Sequence, residues 1–322
     1  MDKDIPLEEN RLKFFPIMMF ATVMGLGGIT ITYQKAALWL NFPYLIGELL
    51  MGLTTIVFIA VSIIYTLKLI KYPQAVKKEF SHPIRINFFA AISISLLMLS
   101  IIYKEEYSNI SALFWYPGAL LHFYLTMHTI SFWINSNQDI VHSNPAWFIP
   151  IVGNVLVPLG GIGFLSNDIL MYFFSVGIFF WIILFAIILN RIIFHKQLAV
   201  KFMPTLFILI APPAVGVLAY YKLYGEFDTF ALFLYNIALF FTFLIAFMYK
   251  NFLKIQFFIS WWAFVFPLAA ITIATMLTYS IKGQMILYFL SNILIAITSI
   301  VIFIVIYQTL KNIKEKNICI QE

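Results

Sequence analysis

The chain has 322 residues, of which 62% are hydrophobic and 11% charged, and its mean hydropathy is +0.95. Soluble domains average roughly a quarter charged residues, and one aqueous core cannot hide this much apolar surface, so composition excludes a water-soluble protein and assigns the chain to lipid. The net charge of +6 raises the question of nucleic acid, but the basic residues stand in loops and at span ends without forming a contiguous face, so no nucleic-acid partner is expected.

Met1 to Leu12 carry Asp2, Asp4, Glu8 and Glu9. They lack the basic start of a cleaved signal, and no processing is expected. Apolar runs long enough to cross a bilayer follow at residues 14–33, 44–67, 86–103, 112–134, 146–165, 168–190, 202–221, 229–249, 257–280 and 284–309. These make an all-α integral membrane protein of ten transmembrane helices in a single domain, residues 1–322. Only Ser166, Asn167 and Asp168 interrupt the run from Trp147 to Asn190, so its division is open. An even count puts both termini on one side, and all but four of the 20 Lys and Arg residues fall on that side. The exceptions are Lys35, Lys104, Lys222 and Lys282. By the positive-inside rule both termini are cytoplasmic.

The odd-numbered spans carry small or helix-breaking residues near mid-depth: Gly25 to Gly28, Ala90-Ala91 with Ser93 and Ser95, Pro158 to Gly161, Ala211 to Ala214, and Phe266 to Ala270. Freed backbone groups at membrane depth are tolerated only inside protein or beside a water-filled cavity. The pattern therefore predicts five helical hairpins, each with an inner odd helix and an outer even one, around a central axis. The alternative is that Gly and Pro simply serve close helix packing.

Titrating residues are absent from the odd spans, whereas Glu48, His122 and His128 fall on even ones. Proton or sodium coupling along the axis is therefore poorly supported. His122 and His128, six apart, point to different helix faces and do not share a metal; interface hydrogen bonding is the expected role. The single cysteine, Cys319, excludes a disulfide and a cysteine metal site. No nucleotide-binding loop or hydrolase motif occurs, and no cofactor is expected. Asp139, His142 and Asn144 are the only cluster an enzyme would have to use, and a turn before Pro145 accounts for them.

Several strings resemble the family that joins plant slow anion channels to bacterial tellurite-resistance and C4-dicarboxylate transport proteins. They are Ala75 to Phe89, Asn144-Pro145 followed by Val152-Gly153-Asn154, Ile210 to Pro213, Tyr224 to Asp228, and Trp261 to Pro267. The resemblance runs nearly end to end. It implies ten helices in quasi-fivefold arrangement around a pore lined by the odd ones, a homotrimer with one pore per subunit, and residence in a bacterial inner membrane. It also implies that Phe266, just before Pro267, closes the pore, with Pro267 and Pro213 supplying supporting kinks. Without the resemblance, Phe266 is one of 35 phenylalanines at a helix interface.

With no fixed charge in the ring, selectivity is expected to come from pore width, hydroxyl donors and the ends of broken helices. Thr22, Gly25, Thr30, Ser93, Ser95, Asn154, Gly160, Thr272 and Thr275 are the candidate lining residues, although Ser and Thr equally bond their own helix backbone. Residues 1–13 and 310–322 leave no long tails, so opening by tail phosphorylation is not expected. The resulting expectation is a channel for chloride or nitrate. Its rival is a carrier or exporter of C4-dicarboxylates or of oxyanions such as tellurite or sulfite.

Overall fold

The computed structural model describes residues 11–320; the expectation that the acidic start escapes processing concerns residues largely outside that range. Helices stand at all ten expected places among the described residues. They are α1 (Ile17–Leu40), α2 (Tyr44–Lys71), α3 (Arg85–Tyr103), α4 (Ser108–Asn135), α5 (Pro145–Gly161), α6 (Asn167–Phe194), α7 (Val200–Tyr224), α8 (Thr229–Phe247), α9 (Ile259–Lys282) and α10 (Met285–Lys314). A short helix, Pro73–Phe80, follows α2.

Eight of these are long and apolar enough to cross a membrane; α4 and α5 are the two that are not. In α4, Trp115, Tyr116, Pro117, His122 and His128 dilute the apolar residues. The expected span 146–165 is shorter in the structure, because the chain leaves the helix at Gly161 into a turn with Gly163 at φ +83°. The first span is longer than expected and runs through Lys35 to Leu40. It stops there because Asn41 takes up a left-handed conformation. Gly225 and Gly283 do the same after α7 and α9, at φ +74° and +64°, where a side chain would be strained.

Burial separates two sets of helices. In their most apolar stretch α1, α3 and α9 bury 78% of residues and α7 72%, against 17% for α2 and 33% for α6, α8 and α10. Among the inner helices α1 packs on α3, α3 on α5, α5 on α7, α7 on α9, and α9 back on α1. Each even helix packs on the odd helix before it and turns large apolar side chains such as Ile63, Leu120, Phe179, Phe240 and Phe303 outward. Side chains of that kind on the perimeter require lipid around them.

The inner helices share a second trait. Each begins in the tighter 3-10 geometry and widens into α-helix later, at Phe20, Ala90, Ala211 and Val265 in α1, α3, α7 and α9. The helix α5 alternates, with α-helix at Phe148–Val152, 3-10 at Gly153–Leu156 and α-helix again from Val157. Prolines explain three of these changes, since Pro158, Pro213 and Pro267 stand within the first three residues of the α-helical part. Without an N–H, proline cannot complete an α-helical bond to the preceding turn. The ends at which the inner helices begin are called the near end below, and the opposite ends the far end.

Two local arrangements hold the inner helices in register. Gly25 and Gly28 of α1 face Trp262 and Phe266 of α9, so that a Cβ on Gly25 would stand 2.7 Å from the Trp262 ring and one on Gly28 2.9 Å from the Ala269 Cβ. At the near end the Lys68 ammonium, 2.6 Å from Glu79 Oε2, also donates to the Phe15 carbonyl at 2.7 Å, and the Tyr65 hydroxyl donates to the same carboxylate at 3.0 Å. This buried pair ties the start of α1, the end of α2 and the short helix together.

Replacing one partner strands the other charge. Glu79→Ala should therefore cost about 3–5 kcal/mol, with most of it recovered in Lys68→Met/Glu79→Met, measured by thermal unfolding in detergent. Gly28→Ala should lower the unfolding temperature by overpacking the α1–α9 seam, at a cost of about 1–3 kcal/mol. Gly52→Ala, with nothing within 4 Å of the new Cβ, should be neutral or stabilising by up to about 1 kcal/mol.

Candidate functional site

Two cavities follow one another between the inner helices. The near one, of about 70 Å3, takes residues from α1, α3, α5, α7 and α9, among them Met24, Ile94, Val152, Pro212 and Trp262. Every side chain that lines it is apolar. The far one, of about 280 Å3, is lined by later residues of the same helices and the turn after α3, such as Ile31, Met98, Leu159, Leu218 and Ile273. Three residues belong to both linings: Leu156, Val215 and Phe266. They come from three different inner helices.

Phe266 is half-buried, one residue into the α-helical part of α9. Its Cδ2 would lie 3.7 Å from a Cβ on Gly28, so the bare glycine gives room beside its ring. Pro267 lines the near cavity as well. Pro213 does not, whereas its neighbour Pro212 does. Leu156 and Val215 carried no sequence signal of their own, being ordinary aliphatic residues in apolar spans.

The nine candidate lining residues lie elsewhere, and none is among the residues lining either cavity. Thr30 Oγ1 meets Thr54 Oγ1 of α2 at 2.9 Å. Ser93 Oγ meets His122 Nδ1 of α4 at 2.9 Å. The Asn154 amide donates to Thr126 Oγ1 of α4 at 2.8 Å. Thr272 Oγ1 meets Thr298 Oγ1 of α10 at 3.1 Å, and Thr275 Oγ1 accepts from the Tyr235 hydroxyl of α8 at 3.2 Å. Thr22 donates back to the Met19 carbonyl at 2.7 Å, and Ser95 to the Ala91 carbonyl at 2.7 Å. Gly25 packs on Trp262, and Gly160 on Ser100 and Trp115. In apolar surroundings a hydroxyl must find an acceptor, and its own preceding turn and the neighbouring helix supply one.

His122 is buried at that same α3–α4 seam, and His128 stacks on Phe80 at 4.5 Å. The Asn144 carboxamide oxygen caps the start of α5 by accepting from the Ala146 N–H at 2.9 Å, as a turn requires. Among the described residues no group of three His, Cys, Asp or Glu could hold a metal ion.

Fixed charge does reach the axis, contrary to the expectation. Lys35, Lys104, Glu105 and Lys222 all line the far cavity. Lys35 pairs with Glu105. The Lys104 ammonium lies over the Phe164 ring, 3.1 Å from its centroid. Burial and the Lys222 charge hold Lys104 below its ordinary pKa. Burial pushes the Glu105 carboxyl up, but the Lys35 hydrogen bond and the charges of Lys35 and Lys222 outweigh that and keep it below the usual carboxylate range. The readable signal was that all four lysines outside the basic side lie at or near the ends of inner helices; three of them line the cavity.

The voltage-dependent anion channel model, SLAC1, matches residues 14–310. The S-type anion channel SLAH2 of Arabidopsis thaliana is 30% identical over 269 residues, 81% of this chain and 52% of its own length. The chain spans about half the length of the plant relatives SLAH2 and SLAH3 that it matches. The uncharacterized transporter MJ0762 of Methanocaldococcus jannaschii is 26% identical, over 85% of this chain and 88% of its own. The tellurite resistance protein TehA homolog of Haemophilus influenzae is 25% identical, over 81% of each. With the match covering nearly the whole helical body, the chain belongs to the SLAC1 family of anion channels and transporters.

Proposed function

We propose that the protein is an anion channel that passes small inorganic anions such as chloride and nitrate along the axis of its inner helices, and that Phe266 closes it. Ten spans form five hairpins in quasi-fivefold order around the pore. The basic near end and both termini face the cytoplasm of a bacterial inner membrane. Three subunits assemble, each with its own pore. The trimer rests on the resemblance to the plant channels and their bacterial relatives.

One observation carries the gate. The two cavities lie along the same five helices and meet at Phe266, Leu156 and Val215. An apolar ring at a narrow point, with an apolar chamber behind it, excludes water and so ions, which is gating by dewetting. Pro267 supports the ring's position, because it stands directly after Phe266 in the first α-helical turn that follows the 3-10 segment Ile259–Phe264 and fixes the backbone there. Pro213 sets the same change of geometry in α7.

A second reading, a carrier or exporter of C4-dicarboxylates or of tellurite or sulfite, is favoured by the lysines of the far cavity, since a carboxylate or oxyanion needs cationic partners. The name of the Haemophilus influenzae relative points the same way.

Anion current in planar bilayers separates these readings, with chloride, nitrate and malate exchanged in turn. Phe266→Ala should raise a small native current on the order of tenfold or more, as expected when a barrier falls by about 1.4 kcal/mol or more. The current should reverse with the anion gradient, and Phe266→Leu should be intermediate. Absence of current from both native and Phe266→Ala protein, with membrane insertion confirmed, removes the gate. Uptake driven by a pH jump in proteoliposomes establishes the carrier.

A further inference from the structure

The far cavity gathers most of the cationic charge found on its side of the molecule. Of the four lysines at that end, three line it, and they arrive on separate elements: Lys35 on α1, Lys104 in the turn after α3 and Lys222 on α7. The fourth, Lys282, lies over the Phe227 ring and is not among the lining residues. Against three ammonium groups stands one lining carboxylate, Glu105; the adjacent Glu106 is outside the lining.

The three lysines are not equivalent. Lys35 is engaged by Glu105. Lys104 is held against the Phe164 ring, which leaves its charge unneutralised. Lys222 makes no hydrogen bond or close ion pair among the described residues, and the Glu105 charge reaches it only at longer range. Three ammonium groups against one carboxylate leave an excess of two positive charges around a space of about 280 Å3, far more than the roughly 10–15 Å3 a single water requires.

We propose that this vestibule is an anion-binding site, in which Lys104 and Lys222 hold a small anion together with its water, while Glu105 acts as a tethered anion that keeps Lys35 occupied. A cleft lined by one sign of charge with low-dielectric walls concentrates the opposite ion. The ammonium groups are point charges with rotatable donors, suited to retaining a hydrated anion weakly and not to a fixed bidentate grip. Weak retention is what conduction demands, because an ion must also leave. The site deepens the channel reading and rests on it for its role, but binding itself needs no open pore.

Trp39 supplies an internal reporter. It lines the vestibule, and the Lys35 ammonium lies 5.6 Å from its ring centroid. Quenching of tryptophan fluorescence by iodide, with acrylamide as the uncharged control, reads the local anion concentration in nanodiscs at low ionic strength. The Trp39 component is isolated as the difference between each protein and its Trp39→Phe counterpart.

Lys104→Gln/Lys222→Gln should lower the iodide quenching constant of Trp39 about tenfold and leave acrylamide quenching unchanged. Glu105→Gln should raise it by freeing Lys35. Both effects should shrink as salt approaches physiological strength, where the screening length is about 8 Å. Unchanged iodide quenching in the lysine double variant overturns the proposal, and so does a fall that acrylamide shows equally. If Phe266→Ala carries no current while quenching responds as described, the binding site stands and the pore reading fails. If current appears and quenching does not move, the pore stands and the site fails.

Discussion

In a bilayer a polar group has no water to turn to, and it must be satisfied within the protein. This constraint arranges the inner helices. Thr30, Thr32, Ser95, Thr272, Thr275 and Thr278 each donate to a carbonyl four residues back, and Thr22 and Ser93 to one three back. Several also reach an outer helix, at Thr54, His122, Tyr235 or Thr298. The seams between inner and outer helices are thus polar inside an apolar shell, and the sides left for the axis are aliphatic and aromatic. An uncharged middle follows from where the hydroxyls are used, as much as from the aliphatic and aromatic residues shared by the two cavities.

The helices were legible because a run of about 20 apolar residues has one stable form in lipid, and the polar breaks between runs mark the turns. The inner and outer sets were legible too, since Gly, Pro and small residues concentrate in the helices that protein surrounds. The direction in which each inner helix turns its hydroxyls was not. A helix buried on nearly all sides has no amphipathic face to betray orientation, so Thr272 looks the same in sequence whether it meets the axis or Thr298. The extent of α1 was missed for a related reason. Lys35 reads as the polar end of a span, whereas Glu105 provides the partner that lets the helix carry it further.

The axis is graded from end to end. Near-end residues such as Met24 and Trp262 bound a small apolar chamber, Phe266 with Leu156 and Val215 stands between, and the far space carries lysines from several elements. The glycines of α1 join this gradation to the scaffold. Gly28 lies beside Phe266 and Gly25 beside Trp262, so the ring that lines both cavities and the wall of the near one share one helix seam. A movement of α9 along α1 would shift both together.

The apolar chamber also has a thermodynamic meaning. A space lined only by hydrocarbon gives water no hydrogen-bond partners and stays dry, and a dry space is volume the molecule holds without filling. On the channel reading, wetting the axis removes that volume, so the conducting form occupies less total volume than the closed one. Hydrostatic compression then favours conduction, just as it favours any state with fewer internal voids. A small apolar guest lodged in the chamber has the opposite effect and acts as a stopper.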